Sequence, residues 1–197
     1  MTIKRYFLSL ILLLTVAVSA AGKGMGTWKS YLSYSNIQWI EQGGNKLYVL
    51  ASSSLYSYNK NDKSIQTYDK TSGLSDMDIR FIGWNKPARR LVIVYSDYNI
   101  DLLDDKGNVT NVPDYYLKML TVDKTVNGID MSGTDCYLST GFGLVRLNVA
   151  KAEVTDSYNL AFNVSYSYIE NGYIYAASPT NGLYRAPLTA NLLDRNN

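Results

Sequence analysis

Side chains that could carry out nucleophilic chemistry are scarce in this sequence. It contains one cysteine, Cys136, and no histidine. A cysteine nucleophile needs a nearby base, and a Ser-His-Asp site or an imidazole metal site needs histidine. Cys136 lies in residues 135–138, a run typical of a strand, where a free cysteine serves as a small buried hydrophobe. The composition therefore argues against both kinds of catalysis.

An acidic cluster between residues 97 and 108 offers the oxygen ligands that Ca²⁺ prefers. Its members are four aspartates and two asparagines: Asp97, Asp101, Asp104, Asp105, Asn99 and Asn108. Their spacing does not fit an EF-hand loop, and residues 105–108 are typical of a hairpin turn. We interpret the cluster as a solvated turn, with a calcium loop as the alternative.

Two glycines, Gly141 and Gly143, flank Phe142 between two predicted strands. A phosphate-binding loop would need further glycines, a following helix, or a Lys-Ser/Thr pair, and none of these is present. The pattern instead predicts a tight turn with a close approach of the backbone.

Aromatic and carboxylate side chains leave two other functions open. Exposed rings could stack on sugars or pack between sheets, and the candidates are Trp28, Trp39, Trp84, Tyr115 and Tyr116. Paired carboxylates would suit glycoside hydrolysis, but most acids lie in turn segments, where they serve solubility. No residue is therefore assigned to catalysis, to a cofactor or to a metal, and the binding residues stay open.

An internal repeat organises the rest of the chain. Four apolar runs, residues 46–51, 90–95, 135–140 and 172–177, recur at intervals of about 40 to 45 residues. A second strand pattern follows each run after a short turn, and a further strand pattern precedes it. Each unit therefore reads as a four-stranded antiparallel meander, which is the size of one β-propeller blade.

The predicted fold class is therefore all-β, with about four blades of a larger propeller. We expect the blades at residues 37–70, 79–114, 126–158 and 164–197. The second strand of each unit is the most uniformly apolar, as in residues 91–94, which predicts a strand covered on both faces. Residues 115–120 form an apolar patch, expected to contain at most one helical turn.

The N-terminus has the layout of a secretory signal peptide. Lys4 and Arg5 precede an apolar run, residues 6–18, and small residues follow at Ala20 and Ala21. We expect residues 1–20 to be removed, so that the mature chain begins at Ala21 or Gly22, with an uncleaved anchor as the alternative. Lys4 and Arg5 account for the net charge of +2, so residues 21–197 are neutral and nucleic acid is not an expected partner.

Several segments resemble known propeller families. Residues 68–76, together with the Gly-Leu strands at Gly143 and Gly182, resemble the two-component-regulator propeller repeat. A longer series of segments resembles the N-terminal propeller of the PorZ family, which acts at the bacterial surface in type IX secretion. The segments are residues 28–34, 54–58, 94–96, 99–103, 124–127, 138–143 and 191–194.

The PorZ resemblance implies a non-catalytic interaction module without a cofactor. It implies an exported protein, in the periplasm or on the outer surface of a Gram-negative cell of the Bacteroidetes type. The implied partners are a sortase-like protease, outer-membrane barrel proteins and anionic lipopolysaccharide. In this family, secreted cargo is attached to the lipopolysaccharide. The other resemblance implies a periplasmic glycan-sensing propeller of a hybrid two-component regulator.

The number of blades leads to an expectation about isolated residues 21–197. Four units are fewer than a closed family propeller needs, so this segment alone is expected to form an open arc with an uncovered apolar face at each end. Such faces promote association. The isolated segment should therefore be poorly soluble, oligomeric or only partly folded, whereas a strict monomer in sedimentation with a sharp cooperative melt would contradict the expectation.

Overall fold

The computed structural model describes residues 31–194. The fold described below belongs to one compact unit, which begins at Leu32. Its strands form four antiparallel sheets in chain order, three with four strands and the last with three. Each strand pairs with the next one along the chain. The predicted all-β fold of meander blades is therefore confirmed, although the described part of the fourth blade lacks an outer strand. Trp28, Ala20 and Ala21 lie outside the described residues.

We number the sheets as blades 1 to 4 and the strands in chain order. The strands are β1 (Ile37–Gly43), β2 (Lys46–Ala51), β3 (Ser54–Asn59), β4 (Ile65–Tyr68), β5 (Ile79–Asn85), β6 (Arg90–Tyr95), β7 (Ile100–Asp104), β8 (Val109–Asn111), β9 (Val126–Ser132), β10 (Asp135–Thr140), β11 (Gly143–Asn148), β12 (Glu153–Asn159), β13 (Tyr166–Glu170), β14 (Tyr173–Ser178) and β15 (Gly182–Pro187).

The first strands of successive blades lie next to one another. Strand β1 contacts β5, β5 contacts β9, and β9 contacts β13. The first strands therefore line a common axis, and the later strands of each blade lie progressively further from it. This radial arrangement is that of a β-propeller.

The second strands are covered on both faces, as their composition predicts. Residues Leu91, Val92, Ile93 and Val94 of β6 have no exposed surface. The side chains of Leu91 and Ile93 pack toward blade 1, whereas Val92 packs toward blade 3. A strand buried in this way needs no polar alternation.

The hydrophobic core is divided among the junctions between blades. Buried clusters lie between blades 1 and 2, around Leu50 and Ile93, and between blades 2 and 3, around Val92 and Leu138. A smaller cluster around Tyr158 and Ile174 joins blades 3 and 4. Each blade is therefore held chiefly by its neighbours.

The interpretation of the acidic cluster as a solvated turn is wrong for Asp101. Its side chain on β7 is completely buried. The carboxylate accepts hydrogen bonds from the Ser75 backbone N–H and hydroxyl, both at 2.7 Å, the Tyr95 hydroxyl at 2.7 Å and the Asn111 amide at 2.9 Å. Asp101 therefore fastens the link between blades 1 and 2 to the middle of blade 2.

The remaining acids of that cluster fit the turn interpretation. Asp104 Oδ1 accepts from the backbone N–H groups of Lys106 and Asn108, at 2.9 and 2.8 Å. Asp105 pairs with Arg89 at the surface. The spacing of the acids in the sequence could not distinguish Asp101 from these neighbours, because the hydrogen-bond donors to Asp101 come from other segments of the chain.

Gly143 confirms the predicted close approach of the backbone. Its φ is +149°, and a Cβ atom there would lie 2.9 Å from the Leu160 nitrogen and nearer still to the Tyr158 carbonyl oxygen. Both atoms belong to the neighbouring outer-strand segment, so only glycine fits without moving the backbone.

Two of the links between blades contain short helical turns. Asp69 caps a 3-10 turn (Lys70–Ser72) through the Thr71 and Ser72 N–H groups. The link between blades 2 and 3 contains one helical turn, α1 (Asp114–Leu117). Among residues 31–194, neither of these helices approaches the length and apolar character needed to cross a bilayer.

Candidate functional site: an axial cleft

The first strands of all four blades line a cavity of about 600 Å³. We call it the axial cleft. The side chains used below are Trp39 and Glu41 from β1, Arg80 from β5, Asp130 from β9 and Tyr166 from β13. An aromatic ring, a guanidinium and carboxylates together suit a polar ligand that also offers apolar faces.

Trp39 presents an aromatic face in a fixed orientation. The side chain is 57 % exposed, yet its indole N–H donates to Glu41 Oε1 at 2.7 Å. Glu41 Oε2 accepts from the Trp84 backbone N–H on blade 2, at 3.4 Å. The ring is therefore held without being covered, which reduces the entropy lost when a ligand stacks on it.

Asp130 repeats the role of Glu41 at the junction of blades 3 and 4. Both residues pair with the third residue of the second strand in their own blade, Tyr48 for Glu41 and Tyr137 for Asp130. Asp130 accepts from the Ile169 backbone N–H, and burial raises the pKa of its carboxyl. Carboxylates of blades 1 and 3 thus bind the exposed inner edge of the next blade.

Blade 2 has Gly83 at the matching position, opposite Val92. A Cβ atom at Gly83 would lie 2.7 Å from the Met131 methyl and 3.0 Å from Ile129 Cδ1. At this position, apolar side chains pack across the junction between blades 2 and 3. At the other two junctions, a carboxylate accepts a backbone hydrogen bond instead.

Arg80 and Tyr166 supply the exposed groups on the other strands of the axial cleft. The Arg80 guanidinium lies 5.5 Å from the centroid of the Phe81 ring and is exposed. Tyr166 is also exposed and stacks on Tyr168 with their ring centroids 6.3 Å apart. Arg80 has no carboxylate partner within the described residues, so its charge is available to an anion.

The structure separates the aromatic candidates identified from the sequence. Trp39 lies exposed in the axial cleft, whereas Trp84 packs between blades 1 and 2, with its ring 5.7 Å from that of Tyr48. Tyr115 is buried and its hydroxyl donates to the Lys124 carbonyl at 2.8 Å. Tyr116 is exposed but does not line the axial cleft.

Glu41, Arg80, Asp130 and Tyr166 were not singled out from the sequence. Their common signal is position, since each lies on the first strand of a blade and first strands line a propeller axis. Charged or aromatic residues in those strands are therefore the ones to examine. Within residues 31–194, no cluster of acids and cysteine is arranged to hold a metal ion.

A second cavity, of about 360 Å³, lies between blades 3 and 4. Its lining includes Leu144, Phe162 and Ile174, which also belong to or pack on the junction core, together with the charged side chains of Arg185 and Asp194. It offers fewer polar groups to fix a ligand than the axial cleft, and we regard it as part of the packing between blades.

Comparison with known proteins places the fold in a family. The model of the type IX secretion PorZ N-terminal β-propeller domain matches residues 47–197. A solved structure of PorZ from Porphyromonas gingivalis, described as an essential bacterial surface component of the type IX secretion system, is 31 % identical, with a TM-score of 0.75. That match covers 86 % of this chain and 23 % of the other, so this chain spans about a quarter of that protein.

More distant structures share the fold alone. The extracellular domain of a putative one-component system from B. thetaiotaomicron is 18 % identical, with a TM-score of 0.60, over 81 % of this chain and 22 % of that one. The computationally designed protein Ika4 is 8 % identical, with a TM-score of 0.58, over 84 % of this chain and 98 % of that one. No curated protein sequence matches the chain. The family match covers most of the chain, and the chain belongs to the family of PorZ N-terminal β-propeller domains.

Proposed function

We propose that this chain is a non-catalytic interaction module of the type IX secretion surface machinery, and that its axial cleft holds an anionic glycan. The observation that carries the proposal is the exposed Trp39 ring held by Glu41, in the same cleft as Arg80, which has no carboxylate partner among residues 31–194. Pyranose faces stack on aromatic rings, and acidic groups on the glycan would be attracted to the guanidinium.

Family membership supports the setting of the proposal. The P. gingivalis relative is a surface component of type IX secretion. By this proposal the present protein is exported and helps to anchor secreted cargo to anionic lipopolysaccharide. Its protein partners would be a sortase-like protease and outer-membrane barrel proteins.

Replacing Trp39 with alanine should weaken glycan binding by roughly tenfold, since stacking on an aromatic ring contributes about 0.5 to 1.5 kcal/mol beyond area burial. The measurement is calorimetric titration of the exported protein with delipidated anionic polysaccharide from a type IX-secreting bacterium. Arg80→Ala should also weaken binding and make it less sensitive to salt, because the screened charge is removed.

Tyr116→Ala is the matched control, because it removes an exposed aromatic ring outside the axial cleft. It should bind the polysaccharide as the parent does. Equal binding by the parent and Trp39→Ala would exclude the cleft as the glycan site. Reproducible release of reducing ends from the polysaccharide would overturn the non-catalytic assignment.

A sensor is the second candidate, favoured by the shared fold with the extracellular domain of the B. thetaiotaomicron one-component system. In that case the propeller would bind a periplasmic oligosaccharide. The coding sequence downstream of Asn197 distinguishes the two functions. A second propeller and a sorting domain would support secretion, whereas a membrane span with a histidine kinase would support sensing.

A further inference from the structure

A cavity of about 530 Å³ lies between the turns of blades 1 and 2. We call it the basic pocket, after the side chains of Lys46, Lys86 and Arg89 that line it. Lys46 begins β2, whereas Lys86 and Arg89 belong to the turn between β5 and β6. The other polar side chains of the lining are one carboxylate and three amides: Asp105, Asn45, Asn59 and Asn61. Basic and amide side chains from both blades therefore converge on one concave surface.

The one carboxylate in this lining is already paired. Asp105 Oδ2 accepts from Arg89 Nε at 2.9 Å and also pairs with Arg89 Nη2. The Lys46 ammonium donates to the Asp105 carbonyl oxygen at 3.5 Å, which leaves it two further protons to donate. Lys86 is exposed and has no acidic partner within the described residues. The charges of Lys46 and Lys86 are therefore available to a ligand.

The turns around the basic pocket add to its positive charge. They are residues 43–46, 59–64, 85–90 and 104–108, in which seven lysines and arginines stand against three aspartates. Arg90 is directed at blade 3, where its guanidinium donates to two backbone carbonyl groups. Basic residues still outnumber the acidic ones when Arg90 is set aside, so an anion is attracted to this side of blades 1 and 2.

The repeat alone does not require this excess of positive charge. A cavity between blades 3 and 4 is lined by two carboxylates, Asp135 and Asp156, and by one guanidinium, that of Arg146. Asp135 is the first residue of its second strand, as Lys46 is in blade 1. Both carboxylates accept from Arg146, at 2.6 and 3.4 Å. The same place in the fold thus carries the opposite charge, and the basic pocket is particular to blades 1 and 2.

These groups favour a compact anion that accepts many hydrogen bonds. A phosphoryl group carries close to two negative charges at neutral pH and three acceptor oxygens, which suits two available ammonium groups. A cavity of this size also admits a sugar, whose hydroxyl groups suit the exposed amides of Asn45 and Asn61. We propose that the basic pocket binds a sugar phosphate, with Lys46 and Lys86 holding the phosphoryl group.

This binding is separate from glycan binding in the axial cleft. Trp39 and Arg80 line the axial cleft and not the basic pocket, whereas Lys46 and Lys86 line the basic pocket and not the cleft. Trp39→Ala and Arg80→Ala should therefore bind a sugar phosphate like the parent. Loss of either binding activity leaves the other to be measured.

The test is calorimetric titration of the exported protein with glucose 6-phosphate, inorganic phosphate and glucose. Glucose 6-phosphate should bind, inorganic phosphate should bind more weakly, and glucose should not bind detectably. Lys86→Gln should weaken the binding of glucose 6-phosphate by roughly tenfold, because one of the two ammonium groups is lost. Binding should also weaken as the pH falls below about 6, because the phosphate ester then takes up a proton and loses charge.

Lys118→Gln is the matched control, since Lys118 is an exposed lysine on the link between blades 2 and 3 and does not line the basic pocket. It should bind glucose 6-phosphate as the parent does. Lys86 and Lys118 are both exposed, so unchanged thermal melts will show that the variants are folded. Absence of binding by the parent, equal binding by Lys86→Gln, or an equal loss in Lys118→Gln would each overturn the proposal. Equal affinities for glucose 6-phosphate and inorganic phosphate would overturn the assignment of a sugar ester.

Discussion

Asp101→Ala is expected to lower the free energy of unfolding by about 2 to 3 kcal/mol, because the change leaves the buried Tyr95 hydroxyl without an acceptor and removes the bonds from Ser75 and Asn111. The Tyr95 hydroxyl donates to this carboxylate inside the protein, whereas the Ser75 backbone N–H and the Asn111 amide reach it from exposed residues. A buried donor that loses its partner costs about 1 to 3 kcal/mol, whereas the donors of Ser75 and Asn111 can bond to water instead. Urea denaturation followed by circular dichroism measures the change.

Asp105→Ala tests whether the effect depends on burial rather than on the loss of any aspartate. Asp105 pairs with the exposed Arg89 at the surface. A surface ion pair contributes about 0 to 1 kcal/mol, so the midpoint should hardly move. Similar losses for the two variants would show that Asp101 does not fasten the link between blades 1 and 2.

Gly143→Ala is expected to lower the free energy of unfolding by about 3 kcal/mol, from two causes. The positive φ disfavours an L side chain by about 1 kcal/mol. The added methyl would also collide with the Tyr158 carbonyl and the Leu160 nitrogen, which are backbone atoms that cannot rotate away. Such overpacking costs about 1 to 3 kcal/mol.

Gly107→Ala separates the two causes. Gly107 also has a positive φ, of +95°, but nothing lies within 4 Å of the position of its Cβ. It should lose only the conformational part, about 1 kcal/mol. If thermal melts show equal losses for both alanine variants, the close approach of the outer strand contributes nothing.

Local patterns were enough to predict the blades. The apolar second strands and the glycine-containing or asparagine-containing turns recur at one interval, and each strand pairs with its neighbour in sequence. Because the pairing is local, the pattern within one unit is sufficient. The single turn of α1 is also within reach of the sequence, since Pro113 directly precedes it.

Packing between units was not predictable in the same way. Trp39 and Trp84 both lie in first strands, but Trp84 is half-buried against blade 1. Gly43 on blade 1 leaves room for the Trp84 ring, which would be 2.6 Å from a Cβ atom at that position. Tyr115 and Tyr116 are consecutive, and α1 turns one inward and the other outward. Asp101 depends on Ser75, which is distant in sequence. The burial or exposure of each of these residues depends on contacts between segments that are distant in the sequence, and a local sequence pattern does not show such contacts.

The unequal division of the hydrophobic core among the junctions predicts the order in which the blades unfold. Among residues 31–194, the cluster between blades 2 and 3 has 13 buried residues, that between blades 1 and 2 has 11, and that between blades 3 and 4 has 6. In an array stabilised by nearest neighbours, opening starts at the weakest coupling and spreads inward. Amide hydrogens of β13 to β15 should therefore exchange with solvent first and those of β6 and β10 last. Blade 4 would then unfold locally while blades 2 and 3 stay folded.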